Sequence, residues 1–100
     1  MNLFLTQSPQ IGAAKAYLLR QALSEVAKKA NHTVVEQAKD ADLVIVFGSS
    51  LPNSAALVGK KVFLANEDAV IASPEVMLTN ALNQAVDYVQ PTQSAVGFGS

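Results

Sequence analysis

The sequence has no cysteine, no tryptophan and a single histidine, His32, among its 100 residues. Without cysteine there is no thiol nucleophile, no disulfide and no thiolate-bound metal. One histidine does not build a zinc site. An excess of charge of either sign is also missing. Seven Lys and Arg stand against eight Asp and Glu, leaving −1 at pH 7. That balance offers no electrostatic footprint for nucleic acid or an anionic membrane surface. The longest apolar run, Leu43-Val-Ile-Val-Phe47, is far shorter than the ~18 residues that span a bilayer. The first residues carry no basic segment or cleavage site of a secretory signal, so a cytoplasmic location is expected. What is present is half hydrophobic and 15% charged, the composition of one folded domain of common size.

Along the chain, residues 2–6 form a short apolar strand. Residues 12–30 carry a helical stripe at three- and four-residue steps: Ala16, Leu19, Leu23, Val26, Ala27 and Ala30. Asn31 follows as a C-terminal cap. Residues 32–36 form a β-branched strand near an edge. Residues 43–47 are apolar on both faces, the pattern of a central strand in a covered parallel sheet. Asn53 or Ser54 begins a short helix that Gly59 ends, and residues 61–65 form the fourth strand. Residues 67–72 make one helical turn or an irregular segment. Ser73-Pro74-Glu75 then starts a last helix, with Met77, Leu78, Ala81, Leu82, Ala85 and Val86 facing inward. From Gln90 the composition turns to Pro, Thr, Gln, Ser and Gly, so the reading is a domain over 1–89 and a linker over 90–100.

This order of elements predicts an α/β three-layer sandwich. Its open, mainly parallel four-stranded sheet, in order 2-1-3-4, is flanked by helices. Ligands of such sheets sit at the carboxyl ends of the strands near the switch point. That position falls on the loops over 7–12 and 48–53. The first loop turns a strand into a helix, a geometry that aims N–H groups and the helix dipole at an anion. Its candidates are Ser8, Gln10 and Gly12, with Lys15 in the first helical turn and Gly48-Ser49-Ser50, Ser49 foremost, in the second loop. The same loop also fits a tight turn with an ordinary polar cap, and the loop over 48–53 fits plain turn chemistry. Arg20 reads equally as a phosphate contact or a solvated charge. The loop holds no Cys, no His and no Gly-Lys-Ser/Thr ending, so the reacting atom is missing from the site. His32, Asp40 and Asp42 fall at the opposite, amino end of the sheet. No metal site or cofactor is expected.

Three motifs together carry a family resemblance. They are Gly12-Ala-Ala-Lys-Ala-Tyr17, Ala41-Asp-Leu-Val-Ile-Val-Phe-Gly48 with Pro52-Asn53, and Ala56-Leu-Val-Gly-Lys60; Pro74-Glu75 also fits. They resemble the enzyme IIB family of the fructose-specific sugar phosphotransferase system (PTS), in particular the first of two tandem copies, IIB-prime. The resemblance covers about residues 1–90. The catalytic copy of that family carries a Cys that takes phosphate from a phosphohistidine on a IIA domain and passes it to the sugar. Aligning the loop glycine on Gly12 puts Pro9 at the Cys position and Lys15 at a His position.

The resemblance therefore implies the fold without the acceptor. It implies a non-catalytic domain of a sugar-phosphorylating fructose permease, docking a IIA-type donor beside a catalytic IIB and a membrane IIC domain. The parent would be a protein-N(pi)-phosphohistidine–D-fructose phosphotransferase at the bacterial inner membrane, with this domain in the cytoplasm. No nucleic-acid partner and no membrane insertion of this domain are implied. Two alternatives remain open on the residues: phosphoryl transfer to Ser8 or an aspartate, and anion, nucleotide or flavin binding on a flavodoxin-like sheet.

Overall fold

The structure, a computed structural model, describes residues 1–52 and 54–89. The expected linker over 90–100 lies outside the described residues, as does Asn53. The strands are β1 (Asn2–Gln7), β2 (Thr33–Val35), β3 (Leu43–Phe47), β4 (Lys61–Ala65) and β5 (Val86–Asp87). The α-helices are α1 (Ala13–Lys29), α2 (Glu67–Ala72) and α3 (Pro74–Gln84). The sheet order is β2-β1-β3-β4-β5. The first four strands pair in parallel and β5 is antiparallel.

β3 sits at the centre because both of its faces are apolar, and all five of its residues are buried. Leu43, Ile45 and Phe47 face a core built with Leu19, Leu23 and Ala27 of α1, Val70 of α2 and Met77, Leu78 and Ala81 of α3. Val44 and Val46 face a second core with Ala38, Ala41, Leu57, Val62 and Tyr88. The expected three layers are present, but among the described residues all three α-helices lie on one face. The other face is closed by 3-10 turns at Ala38–Asp40 and Ala55–Leu57. The β3–β4 connection, residues 48–60, carries Gly48, Pro52 and Gly59, turn residues that break a longer helix.

Helix α1 ends as its sequence suggests. Asn31 takes a left-handed φ of 65°. The His32 N–H donates to the Ala27 carbonyl at 2.8 Å and the Asn31 N–H to that of Lys28 at 3.0 Å, the paired bonds of a Schellman turn. Residues 67–72 are helical, capped by the Asn66 side chain, which accepts from Asp68 N and Ala69 N. Ser73 makes no side-chain cap for α3. Its backbone already joins two helices, donating to Ala69 O at 2.9 Å and accepting from Met77 N at 3.0 Å.

The four-strand expectation needs a correction. Ala85 and Val86 do not extend α3, which stops at Gln84. Val86 instead pairs with Val62, and Asp87 with Lys61. Lys61 Nζ lies 2.9 Å from Asp87 Oδ1. A fifth strand satisfies backbone groups that would otherwise stay open on the edge of β4.

Candidate functional site

The carboxyl ends of β1, β3 and β4 are level, with Gln7 opposite Phe47 and Phe47 opposite Ala65. Their following loops therefore meet. Ser8 continues the ladder, its N–H donating to Phe47 O at 2.8 Å, and Ile11 N closes a turn onto Ser8 O at 3.1 Å. The Ser8 side chain is buried. Its hydroxyl donates to the Ser50 carbonyl and accepts from the Ser50 N–H at 3.2 Å. Ser50 Oγ in turn donates to Gln10 Oε1 at 3.1 Å. The two loops expected at the switch point are thus clasped through Ser8, Gln10 and Ser50. Gly48 lets them close: its φ is +124°, and a Cβ there would lie 2.8 Å from Ser8 Cβ. Ser49 is exposed beside the clasp, and so is Pro9.

Gly12 is the N-cap of α1 and contributes no side chain, and the first turn holds no acid. First-turn N–H groups have no intrahelical carbonyl to bind, so the dipole's positive end faces outward beside the clasp. Lys15, which sequence reasoning aimed at an anion, is turned to α2 instead. Its Nζ lies 2.5 Å from Glu67 Oε1. Hydrogen bonding and then charge attraction from Glu67 hold Lys15 above the ordinary lysine pKa, with a smaller push from Asp68.

That shift has a sign. Because Lys15 is raised on folding, the pair's contribution is fully present at neutral pH and fades as pH climbs through the alkaline range where folded Lys15 titrates. Exposure and salt keep it small. Glu67→Gln will lower the Lys15 midpoint toward the ordinary lysine value, followed by NMR of its side-chain resonances. An unmoved midpoint would dissolve the pair.

Arg20 stands eight residues beyond Gly12, about 12 Å along the helix axis, too far down to share the loops' ligand. It is exposed, and with Tyr17, Gln21 and Ser24 lines a shallow hollow on α1. The amino-end residues serve structure. His32 Nδ1 is 3.3 Å from the Met1 amine, Asp42 Oδ2 accepts from Asn2 N at 2.9 Å, and the Asn2 side chain donates to Asp40 O at 3.1 Å. A hollow of about 260 Å³ between the end of α1 and α3 lies among Val26, Lys29, Glu75 and Leu78, distant from the clasped loops.

Sequence reasoning marked Gly48-Ser49-Ser50 by its position but missed Glu67 and Tyr88. Glu67 was findable, since it opens the helix that follows β4 and so stands at the carboxyl end. Tyr88, whose hydroxyl donates to Pro52 O at 2.6 Å and accepts from Ser54 N at 3.0 Å, gave no signal in the sequence.

As an acceptor the site is poor. Ser8 Oγ is enclosed and fully engaged with Ser50, and Pro9 has no nucleophilic atom. No His stands near enough to serve as base. What the arrangement does offer is a level rim of clasped loop backbone beside an open helix start.

The profile of the family described as "PTS system fructose specific EIIB'BC N-terminal" matches residues 1–88. Among relatives, the "PTS system fructose-specific EIIB'BC component" of Haemophilus influenzae is 54% identical over 98 residues, 98% of this chain and 17% of that protein. The protein of the same description from Escherichia coli is 35% identical over 91 residues, 91% of this chain and 16% of its own. The chain thus spans about a sixth of the length of the curated relatives it matches. Solved structures show the same fold. A domain of the fructose-specific IIABC component of Borrelia burgdorferi has a TM-score of 0.70 at 19% identity, covering 87% of this chain and 96% of that one. A domain of fruA from Bacillus subtilis has a TM-score of 0.63 at 22% identity, covering 87% and 98%.

Proposed function

The chain belongs to the N-terminal family of the PTS fructose-specific EIIB'BC proteins, and from that premise we propose that it is a non-catalytic docking module in the phosphoryl relay of a fructose permease. Its partner is a IIA-type phosphoryl donor, received at the clasped loops and the start of α1. Residues 90–100 link it to a catalytic IIB domain, itself joined to a membrane IIC domain. Among the described residues no helix of this chain is long and apolar enough to cross a membrane.

The observation that carries the reading is the condition of the first loop. Proline stands at position nine, and the adjacent Ser8 hydroxyl is buried and committed to Ser50. Lys15, in the first turn of α1, is held by Glu67. The surface keeps the shape of a relay site while nothing in it takes a phosphoryl group.

Mixed with a phosphorylated IIA-type donor, the chain will take up no stable phosphate by mass spectrometry. Titrating that donor will shift amide resonances over 7–15 and 48–52. A phosphorylated residue on this chain, or shifts that leave both loops untouched, overturns the reading.

A further inference from the structure

Tyr88 is almost fully buried, although it follows the two-residue edge strand β5 and stands two positions before the tail over 90–100. Its ring belongs to the second core, packed with Val44, Val46, Leu57 and Val62. Its N–H donates to Lys60 O at 3.0 Å. Its hydroxyl bridges the β3–β4 loop, donating to Pro52 O and accepting from Ser54 N. That is the same loop whose Ser50 is clasped to Ser8 and Gln10. An unbroken series of contacts therefore runs from β5 through Tyr88, Pro52 and Ser50 to the loop that starts α1.

The hold on β5 apart from Tyr88 is slight. Both of its residues are exposed, and its ion pair is open to solvent, a kind of pair that adds little. Beyond the backbone pairing with β4, the Tyr88 ring and hydroxyl are what tie the strap to buried structure. Short segments held by few buried groups open well below the cost of global unfolding.

We propose that Tyr88 is a latch coupling the strap β5–Tyr88 to the clasped loops. With the latch seated, Pro52 and Ser54 are held on the Tyr88 hydroxyl and Ser50 keeps its Ser8-bound setting. With the strap lifted, Pro52 and Ser54 lose their partner and the clasp loosens with them. The coupling is reciprocal: whatever binds and orders the loops also holds Tyr88 down, and whatever pulls on the tail after Val89 is felt at the loops. It is a property of the free chain, so its test is separate from whether a phosphoryl donor docks.

The test is hydrogen exchange on the whole chain, read amide by amide by NMR. Tyr88→Phe keeps the ring and removes the hydroxyl. The Ser54 amide will exchange about fivefold faster, the loss of one hydrogen bond read through local opening. The Ser50 amide, which donates to Ser8, will exchange about twofold faster or more through the coupling. Amides of the β1–β3 ladder will hold their rates. The reverse arm is Ser8→Ala, in which the Tyr88 amide will exchange about twofold faster or more. If Tyr88→Phe does not fold, this reverse arm decides alone. Acceleration at Ser54 only, with Tyr88 unmoved by Ser8→Ala, makes the tyrosine a local cap and overturns the proposal. Uniform acceleration of all amides overturns it too.

Discussion

Phe47→Ala will cost about 3–5 kcal/mol of stability, the range for deleting a buried phenylalanine. Phe47 is fully enclosed in the helix-side core at the carboxyl end of β3. Its backbone stands between Gln7 and Ala65, and its carbonyl accepts the Ser8 N–H. Truncation therefore opens a cavity directly beneath the clasped loops. A domain of this size holds roughly 5–15 kcal/mol in total, so the variant stands near the edge of folding. Thermal unfolding by circular dichroism will show Tm lower by about 15–30 °C. Leu18→Ala is the control, because Leu18 is 61% exposed on α1 and its loss will stay within about 0.5 kcal/mol. A Phe47 variant that unfolds like the Leu18 one would mean the core is not organised around β3.

Gly48→Ala comes next, at about 2–4 kcal/mol, and two separable causes add to it. One is the backbone, since φ of +124° is a conformation L side chains rarely adopt. The other is contact, as the new methyl meets the Ser8 side chain and lies 3.0 Å from Ile11 Cδ1. Ile11 can move, being the far end of a flexible side chain; Ser8 is fixed by Ser50. Adding Ser8→Gly removes the Ser8 atoms in the way and leaves the backbone strain. Sites this close couple, so the double variant will lose less than the sum of the two single losses, although Ser8→Gly also costs the clasp its hydroxyl. Denaturant titration of the four proteins measures this cycle. Strict additivity would show that the two loops do not meet at this point.

Much of the fold is legible in the residues. Five consecutive apolar positions from Leu43 to Phe47 predict a strand covered on both faces, and β3 is that strand. The spacing of Ala16, Leu19, Leu23 and Ala27 predicts the buried stripe of α1, and all four are buried. Ala30, expected on the same stripe, is exposed, because it caps the helix where the chain turns away. At the last helix the periodic reading runs too far. Leu82 is 38% exposed although it lies in α3, and Val86, 61% exposed, lies in β5, since an apolar residue at helical spacing satisfies a strand edge equally well. The site is half legible. Position on the topology picks out the two loops and places Ser8, Gln10 and Gly12 correctly at the carboxyl end, yet it leaves the aim of each side chain open. Lys15 shows this best: the helix position brings it to the loop, and Glu67 turns it away.

The order of apolar runs, turn residues and caps settled on its own that this chain is a mainly parallel α/β sheet whose site lacks a thiol. Those features act over a turn or a strand, and their partners are near in sequence. Which hydroxyls remain free, where the edge of β4 finds its last pairing and what holds the rim of the site depended on contacts across 42 residues for Ser8 and Ser50 and 36 for Tyr88 and Pro52. Such bonds form only after the strands have brought distant segments level, and no local pattern of residues records which hydroxyl will meet which carbonyl.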